Sequence, residues 1–352
     1  MLPRRYQRGI AASVVLAAAV YLVFILQAGG FKELREAMGR FPWWGIPVAC
    51  GLASANWAIR FLKWERYRRL LGVRVTRWQS LLVYLSGFAL SITPGKMGEA
   101  YKSLLLKRLD GSPISRTAPI VVAERLTDLL GLVVLMGVFG ALTVLGGQRL
   151  SRAGDTFDVG GQLGNVAVLT LFACAALLFV VLHEGSSRRL LAIAARLPMV
   201  RRLHPKLETS HRAAKELLAI RQLAFPTAVS IVSWGCEALA LYFIASRFSS
   251  DVPGLDDAPN AAVTLPLCFF AYAFSMIAGN LAIVLPAGIG LTEGILGYLL
   301  DHSAGLTTRS AAATIILLRA CTLWLAVLVG LIAAAAFERT YGRVEETDAR
   351  DE

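Results

Sequence analysis

Apolar residues in this chain run together for about twenty positions at a time, separated by short polar stretches. The runs are Gly9–Ala28, Trp43–Ile59, Pro119–Leu145, Leu163–Leu182 and Phe225–Ala245, with Val263–Leu285 and Ala311–Phe337 of similar character. About 20 mainly apolar residues are needed to carry a helix across a hydrocarbon core of about 30 Å. Alanine and leucine dominate and no ten-residue alternation recurs, which argues against a membrane barrel. The pattern predicts an all-α polytopic membrane protein of about six full spanning helices. Two stretches behave differently. Residues 78–107 and 263–300 are interrupted at Pro94-Gly95 and at Pro286. Proline removes a backbone donor and stops a helix, so both predict re-entrant hairpins of broken helix.

Composition agrees with this reading. The 352 residues are 56% hydrophobic and 17% charged, with a mean hydropathy of +0.59. A soluble domain is usually about 45–50% apolar and about 25% charged. The five cysteines lie inside apolar runs without metal-ligand spacing, so they read as small buried hydrophobes, and no metal or other cofactor is expected. The opening Met1–Arg8 and its apolar run read as an uncleaved first helix.

The net charge of +12 changes the picture through its location. Lysines and arginines flank the apolar runs, so a nucleic-acid partner is not expected. Cytoplasmic loops carry the excess of cations in a membrane protein. With both termini, 60–77, 96–116 and 184–222 placed inside, 27 cations lie inside and seven lie in the outer loops 29–42, 146–162, 247–262 and 301–308 with Arg309. The last two, Arg125 and Arg319, fall within predicted spans. The expected location is the inner (cytoplasmic) membrane. The stretch 184–222 reads either as a basic amphipathic helix on an anionic leaflet or as a solvated linker, and 60–77 faces the same leaflet. Residues 1–337 form one transmembrane domain, and 338–352 reads as a disordered tail.

A weak internal repeat carries the functional argument. Pro94, Gly95, Lys96 and Gly98 parallel Pro286, Gly288 and Gly290, with a glutamate after each group, Glu99 and Glu293. The same 26 residues separate Glu99 from Arg125 and Glu293 from Arg319. The halves are about 78–145 and 263–337. In the topology above they are inverted, a transporter signature with substrate near the midplane. Broken helix ends present free N–H groups that suit anions, phosphate included. Ionisable residues within spans are costly and mark function by default. Glu124, Arg125 and Asp128 form one such group, with Glu124 and Asp128 on one helix face. Arg125 is expected to pair with Asp128 or with a hairpin glutamate, and Arg319 likewise in the second half. Asn280 is placed to cap the second break or line the cavity. Glu237 reads as a proton site or as a hydrogen-bonded packing residue. Asn56 and Arg60 share a face and are expected at the cytoplasmic boundary.

These residues also carry a resemblance. The Pro-Gly-x-x-Gly-Glu segment at Pro94–Glu99 and the Glu-Arg-x-x-Asp segment at Glu124–Asp128 resemble the transmembrane-region family of lysylphosphatidylglycerol synthases. The segments LPAGIGLTEG and LLRA match its second signature, over a likeness covering about 8–337. The resemblance implies a flippase-like domain that moves lipids between leaflets. It includes the flippase half of the multiple peptide resistance factor and stand-alone proteins of glycolipid, polyprenyl or hopanoid pathways. The chain ends at Glu352 without a soluble aminoacyl-transferase domain, so synthesis of an aminoacylated lipid is not expected, and the chain is not read as an enzyme. The expected function is a lipid flippase for an anionic or phosphate-bearing (glyco)lipid or polyprenyl lipid, with membrane lipids as partners. The alternatives are a membrane-embedded transferase on a lipid-linked substrate and an ion-coupled transporter of a small solute.

Overall fold

The computed structural model describes residues 14–146 apart from 16, 24, 27–29 and 94–97, and then 159–183, 204–248, 263–282 and 285–342. The described residues form helices and no strands. In chain order they are α1 (Phe31–Arg40), α2 (Gly45–Leu70), α3 (Arg77–Ser86), α4 (Gly98–Asp110), α5 (Pro119–Leu145), α6 (Val159–Leu182), α7 (His204–Leu217), α8 (Ile220–Ala245), α9 (Leu265–Leu281), α10 (Leu291–His302), α11 (Thr308–Arg319) and α12 (Leu325–Tyr341). A single turn, Ile114–Thr117, leads into α5, and a π-helical turn, Ala320–Trp324, joins α11 to α12. Among the described residues, three continuous helical runs are long and apolar enough to cross a membrane: Ile114–Leu145, Ile220–Ala245 and Thr308–Tyr341. On the outer face of α5, Val134, Val138 and Leu142 are exposed at four-residue spacing, and Leu328, Leu331 and Ile332 are exposed on α12. Such bare apolar stripes fit a lipid solvent rather than water.

The break read at Pro286 is described, whereas the one read at Pro94-Gly95 falls outside the described residues. The first hairpin runs from α3 through a 3₁₀ turn, Gly87–Leu90, and restarts at α4. Thr76 caps α3, accepting the Gln79 amide, while the Gln79 side chain accepts the Thr76 amide. Pro94, Gly95 and Lys96 fall outside the described residues, as do the side chains of Gly98 and Glu99. The second hairpin ends α9 at Leu281, passes a 3₁₀ turn at Pro286–Gly288 and restarts at α10. Here Ala287, Gly288 and Gly290 hold φ of 50°, 68° and 93°. Three left-handed residues in four positions reverse the chain, a conformation that favours glycine. Gly288 also meets Gly279 of α9 so closely that an added Cβ would lie 2.7 Å from the Gly279 Cα.

Helix α5 joins two apolar clusters. Leu132, Leu135 and Met136 sit with α8, α9, α10 and α11, whereas Ile120, Ala123 and Leu126 sit with α2, α3, α4 and α12. The polar residues of α5, Glu124 and Asp128, lie in the stretch where one cluster gives way to the other.

Several boundaries differ from the sequence reading. Residues 29–42 were read as an outer loop, yet α1 is an amphipathic helix burying Leu34 and Ala37, followed by a buried Phe41. Trp43 and Trp44 beside it stay exposed, as aromatic residues do at an interface. Helix α2 runs on to Leu70, so Lys63, Glu65 and Arg68 of the basic stretch 60–77 are buried rather than solvated. In the described part of 184–222, α7 turns Ala213 and Leu217, with Leu218 after it, to the bundle rather than to a leaflet, because those three are buried against α5 and the 114–117 turn. Helix α12 continues to Tyr341, four residues into the stretch read as a tail, where Arg108 Nε donates to the Tyr341 carbonyl at 3.2 Å.

Helix α12 lies against α3 and its 3₁₀ turn with no side chain between. A Cβ on Gly330 would fall 2.1 Å from the Ala89 nitrogen and 2.6 Å from the Phe88 carbonyl carbon, and neither backbone atom can rotate away. Overpacking of this kind costs about 1–3 kcal/mol or more. We expect Gly330→Ala to lower the thermal midpoint in detergent clearly, and Gly51→Ala, where nothing lies within 4 Å, to leave it near wild type. Equal midpoints for the two variants would refute the close crossing.

Candidate functional site

The two hairpins and the helices between them line a cavity of about 130 Å³ whose mainly apolar wall carries several charged groups. Its walls include Tyr84, Gly87 and Ser91 from the first hairpin, and Asn280, Ala287 and Thr292 from the second. Helices α2, α4, α5, α8 and α11 add Arg60, Lys102, Glu124, Arg125, Glu237 and Arg319. Among the described residues, four cations therefore face the cavity with two carboxylates, Glu124 and Glu237.

Several of these charges are held by defined partners. Asp128 on α5 takes Arg60 Nη2 on one oxygen at 2.6 Å and Lys63 Nζ on the other at 2.7 Å. Ser230 of α8 donates to the same Asp128 oxygen as Lys63, at 2.9 Å. Lys63 is fully buried and also donates to Ser230 Oγ at 2.8 Å, Thr127 Oγ1 at 3.3 Å and the Glu124 carbonyl at 3.4 Å. Lys102 reaches across from α4 to Glu124 Oε2 at 2.8 Å, with its ammonium 4.8 Å from the Trp64 ring centre and 5.5 Å from that of Tyr84. Arg60 lies 5.2 Å over the Trp234 ring. Asn56 donates to the Ser233 carbonyl at 2.8 Å and ties α2 to α8.

Glu293 has two tasks. One oxygen accepts the Gly290 amide at 2.8 Å and caps α10 after the break. The other lies 2.7 Å from Arg319 Nε. The broken hairpin is thus fastened to α11, directly before the π-helical turn. Such π turns recur at functional sites, because the extra residue redirects side chains. Tyr272 donates to Glu237 in a short hydrogen bond. Asn280 turns back to donate to the Met276 carbonyl at 2.7 Å.

The structure gathers Glu124, Arg125, Asn280, Arg319 and Glu237 on one cavity, with Asp128 and Glu293 held by residues of its wall. Arg125 was expected to pair with Asp128 or with a hairpin glutamate; the two Asp128 oxygens bond Arg60 and Lys63. Arg60 was expected at the cytoplasmic boundary, but it lines the cavity. The partnership of Arg125 with Glu99 lies outside the described residues, as does Lys96. Sequence reasoning missed Lys63 and Lys102 as site residues and counted them as loop cations. A signal was present: Asn56, Arg60 and Lys63 fall at i, i+4 and i+7, on one face of the helix.

Five buried side-chain atoms on the cavity walls have no hydrogen-bond partner among the described residues: Arg60 Nε, Trp234 Nε1, Thr292 Oγ1, Arg319 Nη2 and Glu124 Oε1. Buried polar atoms are nearly always satisfied, and an unsatisfied one costs about 1–3 kcal/mol. Three are N–H donors and a fourth is a hydroxyl, so the set suits a ligand rich in acceptor oxygens.

Comparison with known proteins places this geometry in context. The family model described as the lysylphosphatidylglycerol synthase TM region matches residues 10–330. A relative from Methanothermobacter thermautotrophicus (strain Delta H), named a UPF0104 membrane protein, is 22% identical over 346 residues, covering 93% of this chain and 94% of the relative.

The Asp128 knot generates an ordering of variants. Removing one partner of a buried pair costs about 3–5 kcal/mol. Lys63→Met leaves Asp128 still joined to Arg60, whereas Asp128→Asn strands both cations. We expect both to lower the thermal midpoint in detergent, Asp128→Asn by more. The reverse order would mean that Asp128 is not the shared counter-ion.

Proposed function

The chain belongs to the lysylphosphatidylglycerol synthase TM region family, and from that premise we propose that it moves a lipid bearing a phosphate or other anionic head group between the leaflets of the membrane. The observation that carries this reading is the set of unpartnered donors, Arg60 Nε, Trp234 Nε1, Thr292 Oγ1 and Arg319 Nη2, on a cavity between two broken helices. A phosphate offers several acceptor oxygens, and a guanidinium fits it in a fork. Glycolipids and polyprenyl lipids with a phosphate link meet the same requirement.

The arrangement of the two hairpins supports movement. The first arm of the first hairpin, α3, packs on α12 of the second half, and the first arm of the second hairpin, α9, packs on α5 of the first half. This exchange of arms is compatible with an inverted pair of repeats. Each half then bears on the long helix of the other, so the two can rock around a fixed central site. The cation distribution supports both termini and 60–77 in the cytoplasm, with the protein in the cell membrane.

Three measurements test this. Purified protein in liposomes should exchange labelled phosphatidylglycerol between leaflets without covalent change. A new covalent lipid product would instead favour transferase chemistry, and solute uptake without lipid exchange a small-solute transporter. Arg125→Lys and Arg319→Lys keep the charge and lose the fork. We expect both to fold and to exchange lipid about tenfold more slowly, which is about 1.4 kcal/mol in the limiting barrier. Wild-type rates in both would remove these arginines from the lipid path. For orientation, single cysteines at 204–222 on a cysteine-free background should label only from the cytoplasmic side, and labelling from outside would invert the topology.

A further inference from the structure

A second basic cleft opens on the bundle surface beside the central cavity. It is about 660 Å³ and is formed between the ends of α2, α3 and α8. Phe61, Leu62, Leu70 and Phe225 give it apolar walls, and Arg66, Arg69 and Arg77 give it charge. Leu62 and Phe225 are 56% and 45% exposed, so the apolar walls continue onto the lipid-facing surface.

The charge here is not cancelled internally. Glu65 is the acidic residue of the cleft, and its carboxylate already accepts from Arg68, Arg69 and Ser80. Arg66 is positioned rather than neutralised. It donates through Nη2 to the neutral Gln222 amide at 2.5 Å and lies 5.2 Å over the Phe225 ring. Its Nε is buried without a partner among the described residues. Arg77 has no ion-pair partner among the described residues. Two arginines thus face an apolar groove with their positive charge unspent. The ligand that matches both halves is amphiphilic, with an anionic head for the arginines and acyl chains for the groove.

We propose that this cleft is a binding site for an acidic phospholipid of the leaflet at the basic end of α2, and that it is a loading station for the central cavity. The proposal rests on the lipid-moving reading above. Charge complementarity argues for the occupant: an acidic head group answers Arg66 and Arg77, which a zwitterionic head does not. Position argues for loading. Phe61 lines the cleft, Tyr84 lines the central cavity, and their rings are in contact with centres 5.4 Å apart. The same helix, α2, turns Arg60 to the cavity and Phe61 and Arg66 to the cleft. A head group leaving Arg66 therefore meets the Phe61–Tyr84 pair before the Arg60 guanidinium.

Native mass spectrometry on full-length protein tests this, after incubation with equal parts phosphatidylglycerol and phosphatidylcholine. The double variant Arg66→Gln/Arg77→Gln spares Arg69 and its bond to buried Glu65, so folding should survive; a thermal melt checks this. The expected result is that wild type retains phosphatidylglycerol in preference and the double variant retains one molecule fewer. Arg319→Lys should reduce occupancy of the central cavity and leave the cleft lipid bound. If the double variant retains as much as wild type while Arg319→Lys loses lipid, the cleft assignment is overturned and the cavity reading stands. If only the double variant loses lipid, the cleft is supported and the cavity reading weakens. If wild type retains no acidic lipid, both are overturned. Should the double variant unfold, Arg77→Gln alone, at an exposed position, must lower phosphatidylglycerol retention at least threefold, and unchanged retention overturns the proposal.

Discussion

A charge moved from water into a low-dielectric interior loses far more hydration energy than any single contact returns, unless a counter-ion and hydrogen bonds replace the water. Asp128 is where this constraint is met most densely. Its carboxylate joins Arg60 and Lys63 of α2, while Ser230 of α8 donates to one of its oxygens. Three helices from separate parts of the chain therefore meet at one ion, and α2 and α5 cannot separate without leaving a charge unpaired. The other features follow from this anchoring. With α2, α5 and α8 held together, Glu124 meets Lys102 of the first hairpin, and Asn56 finds the Ser233 carbonyl.

The second hairpin is held by a different economy of means. Its break needs left-handed backbone at Ala287, Gly288 and Gly290, and it needs Gly279 bare for Gly288 to approach. Those demands leave the start of α10 with free amides. Glu293 satisfies one of them and binds Arg319 with its other oxygen. One side chain thus stabilises the helix start and sets the distance between hairpin and α11. The spacing of 26 residues between Glu293 and Arg319 is the length of chain needed to finish α10, turn and bring α11 back alongside.

The membrane class was legible because lipid demands long apolar helices, and the composition of 114–145, 220–245 and 308–341 leaves no other reading. The second break was legible because proline and glycine act locally: it was read at Pro286 and lies at 286–290. Helix α1 was not, since FKELREAMGR has too many charges to resemble a span, and its amphipathic face becomes a helix only by packing on α11. Arg60, Lys63 and Lys102 were misplaced for a related reason. Counting cations by loop treats every arginine near a span end as solvated, whereas Lys63 is fully buried by neighbours 61 to 167 residues away in sequence. The partner of a buried charge is a tertiary fact, and sequence spacing gives only the face it points from.

The buried cations divide by how far they are satisfied. Lys63 directs its ammonium at four oxygen acceptors, Asp128, Ser230, Thr127 and the Glu124 carbonyl. An ammonium has three protons, so nothing is left for a ligand. Arg60 and Arg319 are different. Each commits part of its guanidinium to a carboxylate, Arg60 through Nη2 and Arg319 through Nε, and each keeps another buried nitrogen without a partner. A guanidinium has five donors spread over a rigid plane, so it can brace a helix with one edge and present the other to a cavity. Lysine cannot divide itself in that way. Lys63 is thus spent wholly inside the scaffold, whereas Arg60 and Arg319 each hold a carboxylate and keep a second buried nitrogen without a partner among the described residues.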